Sequence, residues 1–277
     1  MGYNTKIDWC DASWNPITGC QHDCEYCYAR GIASRFGGFD HDEERRPVGV
    51  QTAIGIQELE KPKYIMRKNG LHKAPYPWFF LPTLHKYRMD QPSKWSNGRN
   101  IFVGSMTDIW GEWVPDSWIM EVIDACTNAP QHRYMFLTKN PIRYIEWEDA
   151  HPLMLPSREN FWYGTTVVNS ARDVEAISCV AALHKYNGSN TFISIEPLLG
   201  PLTVKQRMMI AETQWVIIGA ETGNRKEKVV PKKWWVDNIM YQCRLEGVPM
   251  FMKESLRELM GADFVQEFPW EAKRCGE

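Results

Sequence analysis

The sequence predicts an α/β protein built as a full or partial (β/α) barrel of the TIM type. From about residue 100 onward, short apolar runs alternate with amphipathic stretches at a regular interval. The runs are apolar on both faces and only a few residues long, which is typical of strands in a buried parallel sheet. They are Ile101 to Val103, Tyr134 to Leu137, Phe161 to Tyr163, Phe192 to Ile195, Trp215 to Ile218 and Met250 to Met252.

The stretches between the runs carry helix start and stop signals. Polar residues at 116–117 and 169–170 precede two of them, and Pro231 opens a third that closes at Gly247. Each stretch is therefore predicted to be a crossover helix between parallel strands. A doubly wound open sheet is the alternative architecture.

Two further strands are expected at residues 16 to 18 and 79 to 81, which gives up to eight β/α units. The chain of 277 residues is predicted to be one barrel domain, spanning residues 1 to 277. The segment from about residue 37 to 78 is rich in glycine, proline and charge. We expect it to be an insertion that covers the barrel mouth.

Composition predicts a cytoplasmic protein without a membrane partner. The N-terminus lacks an apolar signal region, and no window approaches an uninterrupted membrane span. A net charge of −2 provides no global attraction to nucleic acid or to an anionic membrane, although a local basic patch can still bind polyanions. Eight cysteines in a reducing compartment point to metal binding or catalysis rather than to disulfides.

Three cysteines form the most informative motif. Cys20, Cys24 and Cys27 are spaced C-x3-C-x2-C directly after a predicted strand, so one loop can surround a single metal centre. Soft thiolates favour zinc or iron–sulfur clusters. A structural zinc site needs a fourth ligand, which Cys10 or His22 could supply. A cubane held by three thiolates instead keeps one iron open to a substrate.

The other cysteines are assigned ordinary roles. Cys126, Cys179 and Cys243 lie in helix-like apolar patterns and are predicted to be small core residues. Cys275 is predicted to be a free thiol of the C-terminal tail, with a late catalytic group as the alternative.

The cysteine loop, with an aromatic residue just before its third cysteine, resembles the signature loop of the radical S-adenosylmethionine superfamily. Further segments resemble a phage and prophage family within that superfamily and cover nearly the whole chain. They are Asp8 to Cys20, Phe102 to Asp108, Leu137 to Pro141, Glu196 to Gly200 and Gly219 to Gly223.

The resemblance implies that Cys20, Cys24 and Cys27 hold a [4Fe–4S] cluster and that S-adenosylmethionine binds the open iron. The reduced cluster would cleave that cofactor to a 5′-deoxyadenosyl radical, which abstracts hydrogen. It also implies an electron donor such as flavodoxin or ferredoxin. The backbone at Tyr26 is expected near the adenine, with simple packing of the tyrosine as the alternative.

Polar residues that follow the apolar runs are the remaining cofactor-binding candidates, because barrel active sites lie at the C-terminal ends of the strands. Lys139 is expected to pair with the methionyl carboxylate, and Asn169 or Glu196 to bind ribose. A Gly-Gly-Glu stretch after the second strand is missing, and Gly104-Ser105 or Gly219-Ala220-Glu221 can take its place. The predicted cofactor-binding residues are Tyr26, Ser105, Asp108, Lys139, Asn169, Glu196 and Glu221; Thr107, Thr138, Thr166 and Lys253 belong to the same pattern.

The resemblance to the phage family suggests a nucleobase, nucleotide or nucleic acid as substrate, with a peptide or a small metabolite as the alternative. Two basic runs, at residues 61 to 73 and 225 to 233, could bind the phosphates of such a substrate. Solvated loops are the plainer interpretation of both runs. A zinc-stapled nucleic-acid-binding protein without catalysis is the competing function. An iron–sulfur electron carrier is a third possibility. It is disfavoured because a simple carrier needs neither an open iron nor a large barrel.

Overall fold

A computed structural model of the protein describes residues 5–38, 55–152, 154–170, 172–222 and 225–271. Its main element is a curled, parallel half-barrel of seven strands in the order β1-β7-β8-β9-β10-β11-β12. The predicted α/β fold with a partial barrel is therefore confirmed. The strands are β1 (Ala12–Trp14), β7 (Asn100–Val103), β8 (Arg133–Thr138), β9 (Phe161–Thr166), β10 (Asn190–Ile195), β11 (Trp215–Ile218) and β12 (Met250–Met252).

Helices follow the strands as crossovers, as the cap and periodicity signals predict. They are α1 (Tyr28–Phe36), α2 (Asp116–Thr127), α3 (Ile142–Ala150), α4 (Asp173–Asn187), α5 (Val204–Ile210), α6 (Lys233–Leu245) and α7 (Arg257–Met260). Short 3-10 turns cover Lys86–Arg88, Pro92–Lys94, Glu254–Leu256 and Gly261–Asp263. None of the helices in the described part of the chain is long and apolar enough to cross a membrane.

Two smaller sheets accompany the half-barrel. A three-stranded sheet has the order β2-β6-β3, and a separate hairpin pairs β4 with β5. Their strands are β2 (Ile17–Thr18), β3 (Gln57–Leu59), β4 (Tyr64–Arg67), β5 (Gly70–Lys73) and β6 (Thr83–His85). The described part of the predicted insertion thus contains β3 and the hairpin. Residues 39–54 of that insertion and Cys275 lie outside the described residues.

Aromatic side chains fill the concave face of the half-barrel. Successive strand residues point to opposite faces of a sheet, so Phe102, Trp162 and Phe192 face inward while their neighbours pack under the helices. Gly164 makes this packing possible, because a Cβ there would lie 2.5 Å from the ring of Phe192. Trp9 packs into the same cluster. This aromatic cluster fills the interior of the half-barrel, and a cavity lies next to Trp9 and Phe102.

Three details of the strand prediction are wrong. Residues 17–18 are extended but pair antiparallel with β6, outside the half-barrel. The first barrel strand is β1, which pairs in parallel with β7. Residues 79–81 form a turn, in which Phe79 has a φ of 56° and the Leu81 N–H donates to Trp78. The main sheet accordingly has seven strands in the described residues rather than eight.

Candidate functional site

A cavity of about 800 Å³ opens at the C-terminal ends of the barrel strands. Trp9 and Phe102 from the aromatic cluster form part of its wall. Polar residues directly after the strands line it, which is where parallel α/β sheets place their ligands. These residues are Asn15, Ser105, Thr107, Asp108, Lys139, Glu196, Glu221, Thr222 and Lys253.

The cysteine loop enters this cavity on a tightly anchored base at Gly19. The Gly19 N–H donates to the Met106 carbonyl at 2.9 Å, and the Thr107 hydroxyl donates to the Gly19 carbonyl at 2.6 Å. Gly19 has a φ of +87°, and a Cβ there would lie 2.3 Å from the Leu81 carbonyl oxygen. Only glycine fits this close backbone approach.

Cys20, Cys24 and Cys27 all line the cavity as free, half-buried thiols. Cys27 is the N-cap of α1, and its sulfur accepts the Arg30 N–H at 3.4 Å. Burial, followed by the charge of Asp108, raises the pKa of Cys20 to about 12. A cationic centre would therefore have to draw that proton off.

Their donor chemistry fits an iron–sulfur cluster. Among the described residues, no group of three His, Cys, Asp or Glu side chains converges as a single metal ion requires. A cubane requires its cysteine sulfurs to lie farther apart than the ligands of a single metal ion, because each thiolate binds a different iron. Cys20 and Cys27 also pack beside the apolar Ala33, Phe80 and Met106, surroundings that limit solvent around bound sulfurs.

Asp108 connects the cysteine loop to two strand ends. His22 Nε2 lies 2.9 Å from Asp108 Oδ2, which also accepts the Lys139 N–H at 2.9 Å. Oδ1 accepts the Trp110 N–H at 3.1 Å. Burial by itself would raise the pKa of Asp108, but the hydrogen bonds from His22 and Lys139 bring it below its usual value. Both oxygens thus contact protein groups, which makes Asp108 a positioning residue in this geometry.

Lys139 places a cation beside the middle of the cysteine loop. Its ammonium lies 5.6 Å from the centre of the Tyr26 ring, a cation–π arrangement. Burial raises the pKa of Cys24, and the positive charge of Lys139 opposes that rise. The ammonium is thus close enough to the thiol to influence its ionisation, and Lys139 also lines the cavity.

Ser105 is held by neighbours on two sides. Its hydroxyl and the Asn15 amide exchange hydrogen bonds at 3.1 and 3.2 Å, and its carbonyl accepts the Tyr28 hydroxyl at 2.7 Å. Asn15 Oδ1 also accepts the Met106 N–H at 2.9 Å. Asn15 therefore fixes the loop after β7, on which Ser105 faces the cavity.

Glu196 and Lys253 form an ion pair on the cavity wall. Both side chains are largely buried, at 27% and 14% exposed, so the pair is little screened by solvent. Ser194 lies two residues before Glu196 and is fully buried. Its buried hydroxyl has no hydrogen-bond partner among the described residues, although Ser194 belongs to the cavity lining.

Glu221 is committed to an internal pair. Its carboxylate accepts two hydrogen bonds from Arg225, at 2.7 and 2.8 Å, and one from the Val229 N–H at 3.2 Å. The bond from Arg225 is the main cause that lowers the pKa of Glu221. Arg225 also lies 3.7 Å from Glu25 of the cysteine loop. Glu221 thereby connects β11 to that loop.

Asn169 is the one predicted cofactor-binding residue that is not part of the cavity lining. It has a φ of +66°, and its amide lies 2.3 Å from where a Cβ on Gly200 would be. The structure therefore places it against the loop after β10. The other predicted site residues come together around the cavity: Cys20, Cys24, Tyr26, Cys27, Ser105, Asp108, Lys139, Glu196 and Glu221.

Comparison with known proteins identifies the family and the fold. A family model described as "Protein of unknown function (DUF5131)" matches residues 4–260. The chain belongs to this family. A search of curated proteins found no match.

Solved structures of spore photoproduct lyase are similar in fold. The complex with dinucleoside spore photoproduct has a TM-score of 0.52 at 9% identity, covering 90% of this chain and 80% of that chain. A tyrosine-to-phenylalanine mutant of the lyase has a TM-score of 0.51 at 10% identity, with the same coverage. The shared feature is the parallel partial barrel.

Sequence reasoning missed several residues of the lining, among them Asn15, Tyr28, Arg88 and Ser194. Asn15 follows β1 as Ser105 follows β7, so correct placement of β1 would have found it. Arg88 is buried and donates to the Asn15 and Pro75 carbonyls at 3.0 Å each. No local pattern marks such a residue, because its partners are distant in the sequence.

Proposed function

We propose that this protein is a radical S-adenosylmethionine enzyme whose substrate is a nucleobase or a nucleic acid. Cys20, Cys24 and Cys27 would hold a [4Fe–4S] cluster. When reduced and bound to S-adenosylmethionine, the cluster would supply a 5′-deoxyadenosyl radical for hydrogen abstraction. A donor such as flavodoxin or ferredoxin would supply the electron.

One observation carries the proposal: three free thiols on a single loop line an 800 Å³ cavity at the C-terminal ends of a parallel half-barrel. A cavity of this size is in the range that encloses small ligands. The motif resemblance of the loop and the fold shared with spore photoproduct lyase support the same chemistry.

The residues of the chain have distinct tasks in this proposal. Lys139 would pair with the methionyl carboxylate, because it is the cation beside Cys24 and Tyr26. His22 and Asp108 would hold the cysteine loop, while Asn15 would hold Ser105 toward the ligand. Glu196, which also lines the cavity, would accept hydrogen bonds from hydroxyls such as those of a ribose. The aromatic cluster beneath would exclude water from the reacting atoms.

Nucleic acid as the substrate class rests on two observations. The first is the local positive charge beside the cavity in a chain of net charge −2. The second is the fold similarity to a lyase that was solved with a dinucleoside ligand. A base inside a duplex would have to leave the helix to enter the cavity.

Cluster loading tests the proposed centre. The wild-type protein, reconstituted anaerobically with iron and sulfide, should show iron–sulfur absorption. After reduction with dithionite it should show an electron paramagnetic resonance signal that shifts when S-adenosylmethionine is added. Replacing Cys20, Cys24 or Cys27 by Ala should abolish the signal. Cys179→Ala is the matched control, since that free thiol lies on α4 outside the loop. A protein that takes up zinc and forms no iron–sulfur cluster would favour the zinc-stapled binding protein instead.

A further inference from the structure

The hairpin β4–β5 concentrates positive charge. Residues 61 to 73 contain four lysines and one arginine and no Asp or Glu. A chain of net charge −2 thus carries three cations on the hairpin itself, Arg67, Lys68 and Lys73, and two more, Lys61 and Lys63, directly before it. Clusters of this kind bind phosphates through charge and counterion release.

The same hairpin exposes apolar side chains on one face. Tyr64 pairs with Lys73 and Met66 pairs with Leu71, so these four side chains share a face. Tyr64, Met66 and Leu71 are 43%, 61% and 62% exposed. An aromatic ring and flexible apolar side chains beside a cation, here Lys73, are the features on which unstacked bases pack.

The hairpin stands at the rim of the cavity. The Arg67 guanidinium lies 5.9 Å from the centre of the Phe36 ring, and Phe36 lines the cavity. Arg35 contacts the same ring at 6.0 Å. Tyr76, which follows the hairpin by three residues, also lines the cavity. A polyanion on the hairpin would therefore lie next to the cavity opening.

The second basic run of the sequence is a weaker candidate, because its charges are partly used inside the protein. Lys233 pairs with Asp237 and Asp263, at 2.7 and 2.9 Å. Arg225 is held by Glu221. These contacts leave less net charge for an external phosphate than the hairpin offers.

We propose that the β4–β5 hairpin binds single-stranded polynucleotide, and so delivers a nucleotide to the cavity. Arg67, Lys68 and Lys73 contact phosphates, while bases pack against Tyr64, Met66 and Leu71. This inference rests on the proposed function and names the element that binds its substrate. An anionic membrane would also attract cations and apolar groups, but position beside a ligand-sized cavity favours a polynucleotide.

The test is fluorescence anisotropy with a labelled, mixed-sequence single-stranded DNA oligonucleotide and full-length protein. The triple variant Arg67→Ala, Lys68→Ala, Lys73→Ala should weaken binding about tenfold or more at low salt and reduce the salt slope by about two, since each lost single-strand phosphate contact removes about 0.7. A control triple variant, Arg158→Ala, Lys205→Ala, Arg244→Ala, removes three exposed cations elsewhere and should bind like wild type. Met66→Ser with Leu71→Ser should weaken binding without changing the salt slope.

Equal affinities of the hairpin triple variant and wild type would overturn the inference. So would binding to anionic phospholipid vesicles in place of the oligonucleotide. Thermal unfolding of each variant confirms that it is folded. Wild-type 5′-deoxyadenosine formation is measured in parallel: cofactor cleavage without oligonucleotide binding refutes the hairpin's role alone, and oligonucleotide binding without cleavage refutes the proposed chemistry alone.

Discussion

His22 Nε2 lies 2.9 Å from Asp108 Oδ2, and this contact ties the cysteine loop to the end of β7. The same carboxylate oxygen accepts the Lys139 N–H, so one buried acid sets the positions of the loop and of the cation facing it. The geometry of the proposed cofactor site therefore depends on Asp108, whose two oxygens both contact protein groups.

Asp108→Asn should destabilise the protein and lower its cluster content. The substitution replaces one carboxylate oxygen by an NH₂ group and removes the negative charge. The NH₂ group then either faces a backbone N–H donor or replaces the charged contact with His22. Either change costs about 1–3 kcal/mol for a buried group. Urea unfolding measures the loss, and iron per chain after reconstitution measures the centre. Asp124→Asn, an exposed acid on α2, is the control. Wild-type stability and iron content in Asp108→Asn would contradict the positioning role.

Gly19→Ala should disrupt the base of the cysteine loop. The substitution combines a positive φ with a Cβ only 2.3 Å from the Leu81 carbonyl oxygen. Gly188→Ala is a matched control, because Gly188 has a φ of +75° with nothing within 4 Å of the added Cβ. The control should cost about 1–2 kcal/mol from the left-handed conformation alone. Gly19→Ala should cost clearly more in thermal unfolding, and equal losses would refute the steric argument.

Acid should destabilise the protein through His85. This histidine is fully buried between the Thr18 hydroxyl at 2.8 Å and the Tyr87 hydroxyl at 3.0 Å. Burial, and then the charge of Arg88, lowers the pKa of His85 from 6.5 to about 2. Below pH 6.5, His85 binds a proton in the unfolded chain but stays neutral in the folded protein. The free energy of unfolding is therefore highest above pH 6.5 and falls as the pH decreases below it.

The expected loss from His85 is about 1.4 kcal/mol for each pH unit below 6.5. Chemical unfolding at several pH values measures it. His85→Asn should be less stable at neutral pH but should lack this component of the pH slope. His72→Asn, on the hairpin, should retain the wild-type slope. If the free energy of unfolding falls equally with pH in wild type and in His85→Asn, a group other than His85 causes the loss of stability in acid.

Lys139→Met should weaken S-adenosylmethionine binding to the reconstituted protein while leaving its iron content unchanged. A charge-assisted hydrogen bond to a carboxylate contributes about 1.5–3 kcal/mol, which corresponds to about a 10- to 100-fold rise in Kd. Equilibrium binding measures the change, with Lys205→Met on α5 as a control. An unchanged Kd would remove Lys139 from the cofactor site.

The sequence predicted the strands that are apolar on both faces, and it missed those that are not. β7 to β12 contain apolar runs that buried parallel strands require, whereas β1 is only Ala12, Ser13 and Trp14. Its place in the half-barrel depends on pairing with β7, nearly ninety residues away, at Ala12 with Ile101. Such long-range pairing leaves no local periodicity. The apolar run at 79–81 is a turn because its side chains pack at the cavity and beside Gly37.

The site was more predictable than its contacts. Residues that follow strands converge at one end of any parallel barrel, so Ser105, Lys139 and Glu196 could be grouped without coordinates. Their partners could not, because ion pairs such as Glu196 with Lys253 join residues from separate strands. Asn169 shows the limit of the rule, since its backbone turns it toward Gly200.

The most direct test of the central claim is anaerobic formation of 5′-deoxyadenosine. Reconstituted protein is mixed with dithionite and S-adenosylmethionine, and the product is quantified by mass spectrometry, with the Cys20, Cys24, Cys27 triple alanine variant as control. We expect the nucleoside from the intact protein and none from the variant. A protein that carries a complete cluster, binds S-adenosylmethionine and still yields no 5′-deoxyadenosine would contradict the assignment as a radical enzyme.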